Sequence, residues 1–116
     1  MRIALAFASL LSAASFALTP ALAGNVKGVV EIFTSQGCSS CPPADKVFGE
    51  VIQQGGVIGL AWHVDYWDYL GWKDTFSLTA ATERQRAYSR GIGERGVYTP
   101  QIIVNGGTVA KNSSFR

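Results

Sequence analysis

The feature that most constrains the fold is a pair of cysteines placed between a strand pattern and a helix pattern. Cys38 and Cys41 are the only two cysteines in the chain. The mostly apolar run Gly28–Thr34 precedes them, and such a run is typical of a strand covered on both faces. Pro42 and Pro43 follow them, and a helix tolerates proline only in its first turn. The pair therefore lies where a strand leads into a helix N-terminus.

The residues after the prolines continue as a helix and then a second strand. Apolar residues recur at helical spacing and define one face, at Ala44, Val47, Phe48, Val51 and Ile52. We expect Asp45 in the first turn, where the helix dipole favours an acid. Gly55-Gly56 ends this helix, and the apolar run Val57–His63 follows. A strand, a helix and a strand form a βαβ unit with parallel strands.

The second half of the chain predicts another helix and a hairpin. Thr82-Glu83-Arg84-Gln85 is a capping-box pattern, so we expect a helix that runs on to about Arg90. Gln101–Val104 is a third strand, and Asn105-Gly106 is a hairpin turn signal. Thr108–Lys111 then returns as an antiparallel fourth strand. These elements together predict an α/β domain.

The first residues have the organisation of a secretory signal peptide. Arg2 precedes the apolar run Ile3–Leu11, and Ala21-Leu22-Ala23 is a small-x-small cleavage site. The run is too short for a spanning helix of ~20 apolar residues, and an uncleaved anchor is the alternative. We predict a signal peptide at residues 1–23 and a domain at residues 24–116 that is periplasmic or secreted. An oxidising compartment of this kind lets a disulfide persist.

The charge balance argues against two classes of partner. The chain has ten Lys and Arg, eight Asp and Glu, and a formal net charge of +2. A charge this small gives no reason to expect nucleic acid as a partner, or a membrane once the signal peptide is cleaved. We expect no cofactor, and the sequence leaves the oligomeric state open.

Three chemical roles are open to the two cysteines. At a helix N-terminus, unpaired N–H groups and the helix dipole stabilise a thiolate, which suits the pair to thiol–disulfide exchange. A non-enzymatic domain with an inert disulfide is one alternative, although so small a loop adds little chain-entropy stabilisation. A metal site is the other, since two thiolates are half of a zinc site. His63 is the only histidine, and it completes a possible Cu(I) set with Cys38 and Cys41.

The order of these elements resembles the thioredoxin fold, in which a strand leads to CxxC at a helix start and Thr-Pro opens an antiparallel hairpin. The amino-acid sequence is similar to that of one bacterial group of secreted thioredoxin-like proteins, which is catalogued only as a domain of unknown function. The stretches that carry the resemblance are VVEIFTSQGCSSCPPAD, HVDYWDYLGWKD, TERQRAYSR and VYTPQIIVNG. They are specific for the family but say little about biochemistry, because the family's substrates are not established.

The thioredoxin resemblance implies roles for individual residues. Cys38 is the attacking thiol, Cys41 is the resolving thiol, and the two close a disulfide. Thr99-Pro100 carries a cis-proline that faces the pair, with the Thr99 backbone placed to pair with an extended substrate; an ordinary turn is the alternative. Glu31 is a buried acid that passes a proton to the resolving thiol, or else a strand residue that reaches solvent or a surface cation. The implied partners are protein thiols or disulfides, or a redox partner protein.

Other side chains have both a structural and a functional interpretation. Ser39 and Ser40 occupy the dipeptide that tunes redox poise in thioredoxin-like proteins, and they can hydrogen-bond a thiolate. His63 is expected to form a polar cluster with Asp65 and Asp68. The aromatic loop is core, a rim that shields the disulfide, or a substrate platform, at Tyr66, Trp67, Tyr69 and Trp72. A solvated helix face is expected at Arg84, Arg86 and Arg90.

The C-terminal residues depart from the thioredoxin pattern. That fold closes with a helix after the last hairpin, and Lys111–Arg116 is too short and too polar to form one. A missing helix leaves apolar surface exposed. We therefore expect an incomplete thioredoxin-like domain, in a truncated chain or a fragment.

Overall fold

The computed structural model describes residues 24–111. Its strands and helices are, in chain order, β1 (Gly28–Thr34), α1 (Cys41–Gln53), β2 (Val57–His63), α2 (Thr79–Ile92), β3 (Gln101–Val104) and β4 (Thr108–Ala110). The predicted signal peptide at 1–23 lies outside the described residues. So do residues 112–116, on which the prediction of a missing closing helix mostly rests. No helix within residues 24–111 is long and apolar enough to cross a membrane.

The strands form one sheet in the order β2-β1-β3-β4. β1 pairs in parallel with β2, from Gly28 opposite Val57 to Thr34 opposite His63. β1 also pairs antiparallel with β3, and β3 pairs antiparallel with β4. The parallel pair joined through α1 is the predicted βαβ unit, and the last two strands are the predicted hairpin. The α/β prediction is confirmed, and the arrangement is compatible with a thioredoxin-like α/β fold.

The side chains of β1 alternate between two apolar clusters, one on each face of the sheet. Val30 and Ile32 are buried on one face, where they pack with Ala44 and Phe48 of α1. Phe33 is buried on the other face. Its cluster contains Val64 and Ile103, with the partly buried Trp62, Tyr66, Trp67 and Tyr88 packed around them. Helix α1 therefore covers one face of the sheet, and α2 contributes to the other through Tyr88.

Helix α1 starts where the prolines predict, with proline in its first turn. After its last residue, Gly55 and Gly56 take φ angles of 78° and 81°, a left-handed conformation that glycine adopts without steric cost. One detail of the prediction is wrong, because no acidic residue lies in the first turn. The helix begins at Cys41 itself, so Asp45 falls in the second turn, on the same side of the helix as Cys41.

Helix α1 packs against β2 so closely that Gly59 has no room for a side chain. A Cβ atom at Gly59 would lie 2.1 Å from Ile52 Cδ1 and 3.0 Å from Phe48 Cζ. Gly59 and every second residue along β2 therefore face α1. The intervening residues point away, and because β2 is an edge strand two of them are partly exposed, Ile58 at 47% and Leu60 at 36%.

Helix α2 begins earlier than the capping-box pattern predicts. It starts at Thr79, and Leu78 precedes it without a side-chain capping hydrogen bond. The Thr82 hydroxyl donates to Asp65 Oδ1 at 2.6 Å, and Gln85 is buried. Both residues of the pattern are thus taken up by tertiary contacts inside the helix. The capping-box prediction is wrong because a local pattern does not register those contacts.

Two turns with left-handed residues complete the fold. Helix α2 runs to Ile92, slightly beyond its predicted end, and Gly93 caps it with a φ of 76°. Asn105 and Gly106 connect β3 to β4 with φ angles of 49° and 72°, as the hairpin signal predicts. Strand β4 ends at Ala110, close to its predicted end.

Candidate functional site

The two cysteines form a disulfide at the junction of β1 and α1. Cys38 and Cys41 are bonded, with their Cα atoms 5.4 Å apart. The Cys38 N–H donates to the Ser35 carbonyl at 3.1 Å, and the Cys41 N–H donates to the Cys38 carbonyl at 3.2 Å. These turns make the chain double back before the helix begins. Cys38 is 2% exposed and Cys41 is 0% exposed, so both sulfur atoms are covered.

The donors available to a Cys38 thiolate differ from those expected at a helix N-terminus. Pro42 and Pro43 have no N–H, and the Cys41 N–H is already bonded to the Cys38 carbonyl. Ser39 and Ser40 are both exposed, and the Ser40 hydroxyl lies 3.6 Å from Cys38 Sγ. The helix dipole and the Ser40 hydroxyl are therefore features that favour a thiolate here.

The loop before β3 is tied to the cysteine loop through Trp67. The Thr99-Pro100 peptide bond is cis, as the thioredoxin resemblance implies. Trp67 Nε1 donates to Thr99 Oγ1 at 2.8 Å. On its other side, Trp67 lies so near Gly37 that a Cβ there would approach Trp67 Cβ to 3.2 Å. Trp67 thus bridges the two loops, which agrees with the interpretation of the aromatic loop as a rim beside the disulfide.

Gln85, a buried residue of α2, also holds the loop before β3 in place. Gln85 Nε2 donates to the Tyr98 carbonyl at 2.7 Å and to Gln101 Oε1 at 2.9 Å. Tyr66 completes the group, because its hydroxyl donates to Gln85 Oε1 at 2.9 Å. The cis-proline loop is therefore fixed by α2 and by the aromatic loop together. The capping-box pattern predicts a capping role for Gln85, and no local signal indicates this tertiary role.

Asp74 organises the turn that precedes Cys38, and sequence analysis missed it. Its side chain is fully buried, and its carboxylate is 2.5 Å from His63 Nδ1. The carboxylate also accepts from the Gln36 N–H at 2.9 Å and from the Phe76 N–H at 2.8 Å. Burial alone would raise the pKa of Asp74. The hydrogen bonds from Gln36, His63 and Phe76 outweigh it and hold the pKa below its ordinary value.

The sequence predicts a polar cluster of His63 with Asp65 and Asp68. In the structure, Asp68 is linked to His63 and Asp65 is not. Asp68 reaches His63 through Asp74, since its Oδ1 accepts the Asp74 N–H at 3.1 Å. Asp65 instead binds α2, where the Thr79 hydroxyl donates to it at 2.9 Å. Within residues 24–111 no three His, Cys, Asp or Glu side chains come together as a metal-ligand set.

Glu31 lies on the α2 face of the sheet, with both carboxylate oxygens occupied. It is 3% exposed. Arg84 donates to it from Nε at 2.7 Å and from Nη2 at 3.1 Å. Trp62 Nε1 donates at 2.7 Å, and the Tyr88 hydroxyl donates to Oε1. Cys41 begins α1, which packs on the opposite face, so the proton-shuttle role of Glu31 remains a prediction.

Arg84 is exposed on α2, as the predicted solvated helix face requires, but its guanidinium also binds Glu31. Its side chain is 41% exposed, and its guanidinium lies 4.9 Å from the Trp62 ring centroid and 5.3 Å from that of Tyr88. Burial alone would raise the pKa of Glu31. Hydrogen bonds from Arg84, Tyr88 and Trp62, and the charge of Arg84, outweigh it and lower the pKa. Arg84 is the cation that holds a buried carboxylate ionised.

The segment between β2 and α2, which includes the aromatic loop, also carries large exposed apolar side chains. They are Tyr69, Leu70, Trp72, Phe76 and Leu78. Trp72 is joined to the turn before Cys38, because its Nε1 donates to Gln36 Oε1 at 3.0 Å. The loop is therefore divided, with Tyr66 and Trp67 partly buried and Tyr69 and Trp72 exposed.

The fold and the site define an α/β protein with a buried CxxC disulfide at the start of its first helix. A family model described as "Protein of unknown function (DUF1223)" matches residues 29–115, and the chain belongs to this family. This agrees with the predicted membership of a family of unknown function. A comparison with curated proteins finds no match.

One solved structure is similar to the chain. It is the X-ray crystal structure of an Agrobacterium tumefaciens protein, a structural-genomics target. The two are 53% identical, and the TM-score is 0.73. The match covers 79% of this chain and 43% of that protein, so the chain spans less than half the length of this relative.

Replacing Glu31 with glutamine is expected to destabilise the fold in a pH-dependent way. The pKa of Glu31 is lowered in the folded state, so its contribution is present above the ordinary value of 4.5 and is lost as pH falls through the folded pKa. We expect Glu31→Gln to lower the free energy of unfolding by about 2 kcal/mol near neutral pH, from weakened charge-assisted hydrogen bonds. Urea denaturation at a series of pH values measures it.

Glu83→Gln is the matched control for this measurement. Glu83 pairs with Arg86 on the surface of α2, and both side chains are more than half exposed, at 57% and 51%. Such pairs contribute little to stability, so the control should unfold like the unmodified protein. A Glu31→Gln deficit that stays constant from neutral pH to below pH 4 would contradict the ionised pair.

Replacing Ser40 with alanine is expected to favour the disulfide over the dithiol. The Ser40 hydroxyl is placed to donate to the Cys38 thiolate, and losing about 1 kcal/mol of that stabilisation shifts the thiol–disulfide equilibrium roughly fivefold. Ser39→Ala is the control, because Ser39 is equally exposed but the contact with Cys38 Sγ is made by Ser40. Equilibration with glutathione buffers followed by alkylation measures both, and equal equilibria for the two variants would exclude the hydrogen bond.

Proposed function

We propose that this protein is a periplasmic or secreted thioredoxin-like thiol–disulfide oxidoreductase that acts through Cys38 and Cys41. The observation that carries the proposal is the place of the disulfide, which joins the last turn before α1 to the first residue of α1. The arrangement β2-β1-β3-β4 with α1 after the cysteines supports the thioredoxin-like assignment. The cis Thr99-Pro100 loop is held to the cysteine loop by Trp67.

This geometry gives little support to a disulfide that serves only to stabilise the fold. The sequence separation of the two cysteines is 3, so the bond closes a very short loop and restricts the unfolded chain little. Both cysteines belong to one junction that backbone turns already define. A disulfide that contributes so little to the fold is better explained by its chemistry.

The reaction is an exchange of one disulfide for another. With the pair reduced, the Cys38 thiolate attacks a substrate disulfide, bonds to one of its sulfur atoms and releases the other as a thiolate. Cys41 then attacks Cys38 Sγ, which reforms the internal disulfide and releases the second substrate thiol. Two electrons pass from the cysteine pair to the substrate, and the reverse sequence oxidises a substrate dithiol. Protein thiols and disulfides, or a redox partner protein, are the proposed partners, and no cofactor is required.

The burial of Cys38 supports a second candidate, an inert disulfide in a non-enzymatic secreted domain. At 2% exposure, Cys38 Sγ is reached only when a neighbouring loop moves. Trp67 and the Gln36-Gly37 turn are the nearest candidates, since Trp67 lies against Gly37. Exchange therefore depends on opening of this rim, whereas an inert disulfide needs no such opening.

Trapping a mixed disulfide distinguishes the two candidates. The full chain is prepared as Cys41→Ser and as Cys38→Ser, and each is incubated with oxidised glutathione under native conditions. We expect Cys41→Ser to acquire glutathione on Cys38 at least about tenfold faster than Cys38→Ser acquires it on Cys41, because the attacking thiol is the one stabilised as thiolate. Intact mass after acid quenching measures both rates. If neither variant reacts until it is denatured, the inert disulfide is correct.

A further inference from the structure

A second cluster of polar side chains lies on the α1 face of the sheet, at the carboxyl ends of β1 and β2. The thiol–disulfide exchange steps proposed for Cys38 and Cys41 do not use it. Val30 and Ile32 of β1 pack against α1, so Thr34, two residues further on, faces α1 as well. Thr34 pairs with His63 of β2. His63 shares the face of Gly59, which contacts α1 directly. Thr34 and His63 therefore project together toward the helix that Cys41 begins.

Asp45 of α1 completes this group. It follows Cys41 at the i, i+4 spacing, which places two helical side chains side by side with Cβ atoms about 5–6 Å apart. Asp45 is an exposed residue. Partial burial of its carboxyl group raises its pKa, while the charge of His63 opposes that rise and the charge of Asp74 adds to it. These two charges act on Asp45 from β2 and from the loop before α2. Asp45 follows Ala44, which packs on the β1 cluster, so it lies at the end of the sheet where Thr34 and His63 project toward α1.

Two features of this group suit it to proton transfer. The Thr34 hydroxyl is buried and, within the part of the chain that the structure describes, has no hydrogen-bond partner. It is available to orient a neighbouring carboxyl group or thiol. His63 is held by Asp74 through Nδ1, and a histidine held at one nitrogen presents the other in a fixed direction. The His63 side chain is 25% exposed, so the group leads from the helix start toward solvent.

The resolving step needs a proton acceptor near Cys41. Only a thiolate attacks a disulfide, and burial in apolar surroundings raises the pKa of a thiol. Cys41 is 0% exposed, so water does not reach its thiol directly. Glu31 is badly placed for this task, because its oxygens are bonded to Arg84, Trp62 and Tyr88 on the opposite face of the sheet.

We propose that Asp45 is the group that takes the proton from the Cys41 thiol, with Thr34 and the His63–Asp74 pair as positioning residues. The proposal rests on the proposed oxidoreductase function and assigns one step of it. The Asp45 carboxylate removes the proton from Cys41 Sγ, and the thiolate attacks Cys38 Sγ of the mixed disulfide. The bond between Cys38 and the substrate sulfur breaks, the internal disulfide forms, and the substrate leaves as a thiolate. The proton on Asp45 returns to that thiolate or to solvent.

Single-turnover release of glutathione tests this assignment. The reduced full chain is mixed with oxidised glutathione, and the decay of the Cys38–glutathione adduct is followed by acid quenching and mass spectrometry between about pH 5 and pH 9. We expect Asp45→Asn to slow the decay about tenfold or more below the pKa of the Cys41 thiol, with the deficit shrinking at high pH. Asp45→Glu should recover part of the rate. Glu50→Gln, an acid of the same helix more than two turns from Cys41, should leave it unchanged.

A second readout separates proton transfer from a structural effect. In the Cys38→Ser background, alkylation rates against pH give the pKa of the Cys41 thiol. Removing a neighbouring negative charge should lower that pKa in Asp45→Asn, although the same substitution slows the decay. A variant that is merely misfolded would not show a more acidic thiol together with slower resolution.

The adduct-decay and alkylation experiments distinguish failure of the Asp45 assignment from failure of the proposed function. If the unmodified protein resolves the adduct and Asp45→Asn matches it across the pH range, or the Cys41 pKa does not move, Asp45 is not the acceptor and the oxidoreductase proposal stands. If the unmodified protein never forms or resolves the adduct, the proposed function fails and the Asp45 assignment fails with it.

Discussion

Strand β1 is the element on which the rest of the structure depends. It pairs with β2 on one side and β3 on the other, and its side chains alternate between two buried clusters. A strand buried on both faces and both edges has one register and one direction. Its carboxyl end is therefore a fixed point, and the Cys38–Cys41 disulfide is built immediately beyond it. The rigidity of the sheet is what positions the cysteines.

The two faces of the sheet carry acids with different roles. On the α2 face, the buried Glu31 carboxylate is closed off by hydrogen bonds and by the partly exposed Arg84 guanidinium, so the ion pair joins helix to sheet. On the α1 face, Asp45 follows the first residue of the helix by about one turn, at the end of the sheet where Thr34 and His63 face α1. A saturated carboxylate suits stability, whereas a carboxylate with a raised pKa and open neighbours suits proton transfer.

Local patterns predicted β1, α1 and the hairpin well, because the prolines, the glycines and the Asn-Gly pair act on their own backbone. The errors concern side chains with distant partners. Gln85 was assigned to a cap, but it binds Tyr98 and Gln101, and the bond of the exposed Arg84 to Glu31 was not predicted. Asp74 was not singled out, since a single aspartate in a polar loop has no pattern that indicates burial. Tertiary hydrogen bonds between residues tens of positions apart leave no periodic trace in the sequence.

The central claim is that Cys38 and Cys41 exchange electrons with other thiols, and an equilibrium redox titration tests it most directly. The full chain is equilibrated in metal-free glutathione buffers, free thiols are alkylated, and the oxidised fraction is read by mass. The account predicts a midpoint between about −120 and −270 mV, the range of exchange catalysts. A midpoint below about −300 mV, typical of resistant structural disulfides, would contradict it.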